Sequence, residues 1–195
     1  MRLLVVDTST GTSVAIVDGE DVLVERTVVD TRSHSEVIGT LLTEVLTSSG
    51  DNVDGVVVGL GPGPFTGLRV GIVAGITFAA GRGLPVFGLP SHDVGRLAES
   101  PVVIATDARR KEWAWTSYAG GQALTESVLA PVHEFEGLTE WKGAPLRFVS
   151  SISAAELGIA AHRRIDAGDD LSSLTPLYGR APDAIPSAGP KRVSQ

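Results

Sequence analysis

The stretch LLVVDTSTGTSVAIVDGEDVLVERTVV, residues 3–29, decides the fold of this 195-residue chain. It contains three runs rich in valine, leucine and isoleucine, separated by polar and glycine-containing segments at residues 9–11 and 18–21. Turn residues between β-branched runs are typical of consecutive β-hairpins. We therefore predict a sheet that opens with three antiparallel strands.

Helices and strands alternate after this opening. Residues 33–49 carry apolar side chains on one helical face, with Ser33 and Glu36 as a capping box, and residues 53–60 and 84–89 are apolar runs of strand length. Residues 66–81 are apolar or small nearly all round, which predicts a helix buried on both sides. Its outer face would be covered by the first helix of this chain or by another subunit. This order indicates a parallel α/β unit.

A second start at residue 101 repeats the pattern. The run VVIATDARRKEWAWTSYAGGQALTESVLA, residues 102–130, predicts strands on both sides of a Gly120-Gly121 turn. Like the opening run, it begins with an apolar strand that ends in aspartate, Asp107 matching Asp7. This weak repeat predicts two lobes of related topology, residues 1–100 and a smaller lobe of residues 101–195 whose tail, from Ser187, is loose.

Composition narrows the possible functions. Hydrophobic residues make up 43% and charged residues 20%, which is typical of a globular protein. The absence of cysteine excludes disulfides, thiolate metal sites and a cysteine nucleophile. The net charge of −7 disfavours a protein that grips nucleic acid alone. With no apolar run of membrane-spanning length and no secretory signal, we expect a cytoplasmic location without membrane contact.

Two polar segments could contact phosphate. Asp7, Thr8 and Ser9 enter a tight turn and offer a carboxylate for magnesium and donors for an anion, although they could equally satisfy the turn's own backbone. Arg109, Arg110 and Lys111 follow the first strand of the second lobe. They are either a solvated charge run or a patch that meets phosphate or an acidic partner.

The turn GPGPFTGLRVG, residues 61–71, is the most specific motif. Glycines between a strand and a helix permit close approach of a backbone or an anion, but the Gly-Lys-Ser/Thr ending of a Walker loop is absent. Gly67, Gly71, Ala74 and Gly75 line one side of the helix that follows, which favours a groove for a neighbouring helix of this chain or of another subunit.

Metal and nucleophile motifs are missing from the sequence. The histidines at positions 34, 92, 133 and 162 form no His-x-x-x-His pair, and we interpret the spacing of His133 and Glu136 as incidental. No G-x-S-x-G nucleophile elbow is present. We therefore predict no metal site and no peptidase activity.

Several motifs resemble the TsaB (YeaZ) family. They are DTSTGTSVAIVDG, the R-x-H-S-E of residues 32–36, the glycine turn, DARRKEW at residues 107–113 and PLYGRAPDA at residues 176–184. The resemblance spans nearly the whole chain and implies an α/β, actin-like ATPase fold with two lobes that each open with a hairpin sheet. It also implies a role beside a catalytic paralogue, TsaD, and an ATPase, TsaE, which together make threonylcarbamoyladenosine in tRNA next to the anticodon.

This chain departs from the catalytic paralogue in ways that imply a non-catalytic subunit. TsaD-like proteins carry H-x-x-x-H where this chain has His92 alone, and actin-like kinases need a glycine where Ala108 follows Asp107. Asp7, Thr8 and Ser9 would then be a vestigial phosphate loop, and we expect no ATP binding by the isolated chain. Contact with tRNA would be indirect or weak.

The family's partner contact runs through the first two helices, which predicts an interface on this chain. Large side chains at Gly71 or Gly75 would then block the partner without unfolding the protein. The predicted interface residues are Gly67, Val70, Gly71, Ala74, Gly75 and Phe78, with Leu41 and Val45 as packing support.

Two other functions compete with this one. An active actin-like ATPase or kinase would use the turn at Asp7, Thr8 and Ser9. A homodimeric binding module would pair the same helices symmetrically, and a homodimer of the isolated chain is also compatible with the main interpretation.

Overall fold

Five strands form the first sheet, in the order β3-β2-β1-β4-β5. The computed structural model describes residues 1–30, 34–50 and 52–179. The three opening strands pair antiparallel as hairpins, and β4 and β5 add in parallel beside β1, as the sequence predicts. The strands are β1 (Arg2–Asp7), β2 (Thr12–Asp18), β3 (Asp21–Val28), β4 (Gly55–Gly59) and β5 (Val86–Leu89).

Three helices cover both faces of this sheet, which explains why its central strands are apolar at nearly every position. Alternate residues of β1 point to opposite faces: Leu4 and Val6 pack in the core under α1 and α2, whereas Leu3 and Val5 pack in the core under α3. The helices are α1 (His34–Ser49), α2 (Phe65–Arg82) and α3 (Ala154–Asp166). The predicted capping residue of α1, Ser33, lies outside the described residues.

The second sheet repeats the opening of the first. Its strands β6 and β7 pair antiparallel, and β11 adds in parallel beside β6. The order is β10-β11-β6-β7-β8, with β9 also paired to β7. The strands are β6 (Val102–Asp107), β7 (Glu112–Ala119), β8 (Gln122–Ala123), β9 (Val128–Pro131), β10 (Glu140–Trp141) and β11 (Ala144–Phe148).

Two short 3-10 helices, Ser91–Leu97 and Val132–Glu134, connect the longer elements. The first begins directly after Pro90, and the second directly after Pro131. Both segments are too short to gain much from the α-helical hydrogen-bond ladder, and 3-10 turns are common in such connectors.

The end of the described chain returns to the first sheet. The Leu177 N–H donates to the Leu60 carbonyl at 2.7 Å, and the Gly88 N–H donates to the Leu171 carbonyl at 2.8 Å. Helix α3 packs in a core that contains residues of both sheets, among them Val5 of β1 and Ile104 of β6. The division into lobes at residues 1–100 and 101–195 stays a prediction.

Candidate functional site

The carboxylate of Asp7 lies at the end of β1 and is only 1% exposed. Its Oδ1 accepts hydrogen bonds from the Ser9 N–H at 2.8 Å and from the Ser9 hydroxyl at 2.6 Å. Its Oδ2 accepts a hydrogen bond from the hydroxyl of Ser91. Both oxygens are thus bonded to the protein itself.

Ser91 connects Asp7 to the glycine turn. Its hydroxyl accepts from the Gly61 N–H at 3.0 Å, while its own N–H donates to the Gly61 carbonyl at 2.6 Å. The carboxylate fits here because β4 has glycine at position 59, where an added Cβ would lie 1.8 Å from Asp7 Oδ2. A structural network therefore fills the place where a phosphate loop would face its ligand.

Burial raises the pKa of Asp7 above its usual range, because the charged carboxylate loses its water. The hydrogen bonds from Ser9 and Ser91 oppose this change, and the charge of His34 also lowers the pKa. This environment favours holding Asp7 in place over presenting a charge to a ligand.

The Thr8 side chain clamps helix α2. Its hydroxyl donates to the Gly67 carbonyl at 2.7 Å and accepts from the Gly71 N–H at 3.1 Å. The first two turns of α2 are therefore held against the end of β1. The Thr8 hydroxyl, which the sequence suggests for phosphate binding, instead holds α2 against the sheet.

The turn between β6 and β7 is the counterpart in the second sheet. The Arg109 N–H donates to Asp107 Oδ1 at 2.8 Å, and the Arg109 guanidinium lies 3.3 Å from Asp107 Oδ2. The side chains of Arg109, Arg110 and Lys111 are exposed at this turn. A cavity of about 300 Å³ separates it from Ser9 and Thr10 of the first turn.

His92, at the position compared with the paralogue's metal motif, is a core residue. Its two ring nitrogens lie 2.9 Å from the hydroxyls of Thr116 and Thr106. Burial lowers its pKa to about 3, so the ring stays neutral. Among the described residues, no three His, Cys, Asp or Glu side chains are grouped so that they could hold a metal ion.

The prediction that the α2 glycines face a partner was wrong for Gly67, Gly71 and Gly75, which are buried against their own chain. An added Cβ on Gly71 would lie 2.3 Å from Thr8 Oγ1, and one on Gly75 would lie 2.4 Å from Val58 Cγ1. On Gly67 it would lie 3.0 Å from His34 Nε2. These glycines let α2 approach the sheet closely, so large side chains there would disturb the fold.

The other predicted interface residues lie in two places. Leu41 and Val45 of α1 are buried in the core with α2, as packing support requires. Val70, Ala74 and Phe78 of α2 are half-buried and pack against the core that α2 shares with α1. Between α1 and α2 lies an open groove of about 560 Å³, lined by Ser35, Ile38, Phe65, Thr66, Arg69, Val70, Val73 and Ala74.

Sequence reasoning missed Ser91 and Val73. Ser91 is 84 residues from Asp7, and no periodic pattern connects the two. Val73 could have been found, because it lies two residues, about 200° of helical rotation, from both Gly71 and Gly75 and so falls on the opposite side of α2. It is 59% exposed, which makes it the most exposed apolar residue of the groove.

Magnesium and a nucleotide, which the actin-like fold implies, do not fit the residues present. The Asp7 oxygens accept hydrogen bonds from Ser9 and Ser91, and the Thr8 hydroxyl accepts one from the Gly71 N–H. The exposed carboxylate of Asp107 is paired with the Arg109 guanidinium at 3.3 Å. That the isolated chain binds no ATP stays a prediction.

Removing the Ser91 hydroxyl tests this network. We expect Ser91→Ala to lower the free energy of unfolding by about 2 kcal/mol, because the buried Gly61 N–H loses its acceptor and Asp7 loses a donor. Urea denaturation measures the change. Ser48→Ala, on the exposed side of α1, should change stability by less than about 0.5 kcal/mol. Equal stability of the two variants would contradict the network.

Fold and site together define an α/β protein with two sheets, in which the polar groups of the turn after β1 are bonded within the chain. Residues 24–155 match the family model described as TsaD: tRNA N6-adenosine threonylcarbamoyltransferase. YeaZ from Pseudomonas aeruginosa, a solved structure, has the same fold: the TM-score is 0.72 at 23% identity, over 91% of this chain and 99% of that one.

Two curated relatives complete the comparison. An uncharacterized protein of Mycobacterium tuberculosis is 35% identical over 204 residues, covering 95% of each chain. The tRNA threonylcarbamoyladenosine biosynthesis protein TsaB of Haemophilus influenzae is 33% identical over 148 residues, covering 69% of this chain and 59% of TsaB. The chain belongs to the TsaB (YeaZ) family, related to TsaD, which confirms the resemblance in the sequence motifs.

Proposed function

We propose that this chain serves threonylcarbamoyladenosine formation in tRNA as a non-catalytic subunit that binds a TsaD-type paralogue. The relatives named TsaB support the pathway. The observation that carries the role is the apolar outer side of α2, with Val73 at its centre, on a chain whose phosphate-loop residues are bonded internally. A TsaE-type ATPase would be the further protein partner.

The proposed interface is the groove between α1 and α2. Val70, Val73 and Ala74 supply its apolar floor, and Phe65 is 39% exposed at one end. At this end the Arg69 guanidinium lies over the ring, 3.8 Å from the Phe65 centroid. An apolar centre with arginine and aromatic residues at its margins is the composition of protein–protein interfaces.

Helices of a paralogue suit this groove better than a small ligand does. Two neighbouring helices that expose a shared apolar strip can extend into a bundle with two helices of a second chain. A paralogue offers the matching pair. In the absence of the paralogue, the strip could pair with a second copy of this chain, so the homodimer stays a prediction for the isolated protein.

The rival function, an active ATPase or kinase, finds little support in the phosphate-loop geometry. Catalysis would require Asp7 to release the hydrogen bonds from Ser9 and Ser91, and Thr8 to release α2. None of the helices in the described part of the chain is long and apolar enough to cross a membrane. The cytoplasmic location stays a prediction.

Reconstitution tests the proposal. We expect the full chain, mixed with a TsaD-type paralogue, to elute as a stable complex in size-exclusion chromatography with light scattering. Calorimetry of the chain alone with ATP and magnesium should show no binding, because the polar groups of the phosphate loop are occupied. Absence of a complex, or tight ATP binding with turnover by the isolated chain, would overturn the proposal.

A further inference from the structure

The turn between β6 and β7 has an unusual backbone. Arg109, Arg110 and Lys111 have φ angles of 65°, 54° and 62°, so three successive residues with side chains adopt the left-handed conformation. Within the described residues, glycine takes nine positive-φ positions and the only other non-glycine residue is Lys142. Because a Cβ makes this conformation costly, glycine would form the turn with less strain.

Strain that is retained at three adjacent positions indicates a use for their side chains. All three are exposed cations, in a chain with 16 basic and 23 acidic residues. The turn is held at both ends: the Arg109 N–H donates to Asp107 at 2.8 Å, and the Lys111 carbonyl accepts from the Val132 N–H at 2.9 Å. The backbone of the turn is thus fixed, and three exposed cations project from one short segment of a chain whose net charge is −7.

Aromatic rings lie beside these cations. Trp113 pairs in register with Asp107 at the base of the turn, and its ring meets that of Phe148 edge-on at a centroid distance of 4.5 Å. Phe148 is 42% exposed. Arg109 and Trp113 also line the cavity of about 300 Å³ that faces the first turn. This cavity is large enough to accept one flat base.

We propose that residues 109–111, with Trp113 and Phe148, contact an unpaired segment of RNA. The three cations would bind its phosphate groups, and the two aromatic rings would stack on a base. Cations next to exposed aromatic rings are the recurring means of binding single-stranded nucleic acid. The inference rests on the proposed function, in which tRNA is the substrate. An acidic protein surface would satisfy the cations and leave the rings and the cavity unused.

Fluorescence anisotropy with a labelled RNA hairpin that has an unpaired loop tests the contact, using the full chain alone and in complex with the TsaD-type paralogue. The variant Arg110→Gly/Lys111→Gly removes two charges and relieves the turn. We expect about tenfold weaker RNA binding, with the slope of log K against log salt reduced by about 1.4, since each single-strand phosphate contact contributes roughly 0.7. Its thermal unfolding midpoint should rise.

A matched variant controls for net charge. Arg26→Ala/Arg163→Ala also removes two exposed cations, each paired elsewhere, to Glu44 and Glu20. It should leave RNA affinity and salt dependence close to wild type. Arg110→Lys, which keeps the charge, should retain binding.

The remaining outcomes separate this inference from the proposed function. If the glycine variant binds RNA as wild type does, the inference is overturned. If the glycine variant still binds RNA but no longer binds a protein partner, the turn contacts an acidic protein surface, and the inference is again overturned. A wild-type complex that forms but binds no RNA contradicts this inference alone, whereas RNA binding without complex formation supports it and contradicts the proposed function.

Discussion

Replacing Gly71 with alanine is expected to lower the free energy of unfolding by about 3 kcal/mol, the cost of overpacking together with the loss of a buried hydrogen bond. The new Cβ would lie 2.3 Å from Thr8 Oγ1. Thr8 cannot rotate away freely, because the same hydroxyl bonds the Gly67 carbonyl and the Gly71 N–H. The helix would have to move off β1, which disturbs the core beneath it.

The same helix offers a matched control. Gly81 also lies in α2, and an added Cβ there would meet nothing within 4 Å. Gly81→Ala should stabilise the protein by about 0.5 kcal/mol, because alanine is the better helix former. Urea denaturation followed by circular dichroism compares the two variants. If Gly71→Ala were as stable as Gly81→Ala, the close contact between Thr8 and α2 would be wrong.

Much of the fold could be predicted because its signals are local. The opening hairpins follow from turn residues between β-branched runs, and α2 from an apolar segment after the glycine turn. The similar opening of the second sheet follows from the apolar run that ends in aspartate in both β1 and β6. These features depend on residues close together in the chain, which is where sequence patterns are informative.

Whether the glycine side of α2 faces the chain's own sheet or a partner could not be predicted in the same way. A stripe of Gly67, Gly71 and Gly75 fits a partner helix or the chain's own sheet equally well in sequence. Thr8, more than sixty residues from Gly71, decides between them by bonding the first turns of α2 to β1. Tertiary contacts of this kind carry no periodic signal.

The candidate site shows the same limit. The sequence identifies Asp7, Thr8 and Ser9 as polar groups at a strand end, and the fold decides that Ser91 and Gly71 occupy them. Likewise, the residue types of Arg109, Arg110 and Lys111 do not indicate that all three have a left-handed backbone conformation, because glycine is the usual signal for that conformation. Their charge could be predicted, but their geometry could not.

Placing a charge at Val73 is expected to abolish the proposed complex while leaving the fold intact. Val73 lies between Val70 and Ala74 at the centre of the groove, on the side of α2 opposite the glycines. In the free chain a glutamate at this position would remain in water, so Val73→Glu should retain a native circular dichroism spectrum. In the complex its carboxylate would lose water, and Arg69, one helical turn away, is already bonded to Tyr178 and lies over the Phe65 ring, so binding of the TsaD-type paralogue should weaken at least about 100-fold.

Leu124→Glu is the matched control, because Leu124 is 64% exposed and lies beyond the end of β8, outside the groove. It should bind the paralogue as wild type does. Isothermal titration calorimetry measures both affinities, and light scattering shows whether any homodimer of the isolated chain is lost together with the complex. If Val73→Glu still binds the paralogue, the interface does not include this side of α2, and the proposed location is wrong. Loss of binding by both variants would show instead that added negative charge, rather than the position of Val73, opposes association.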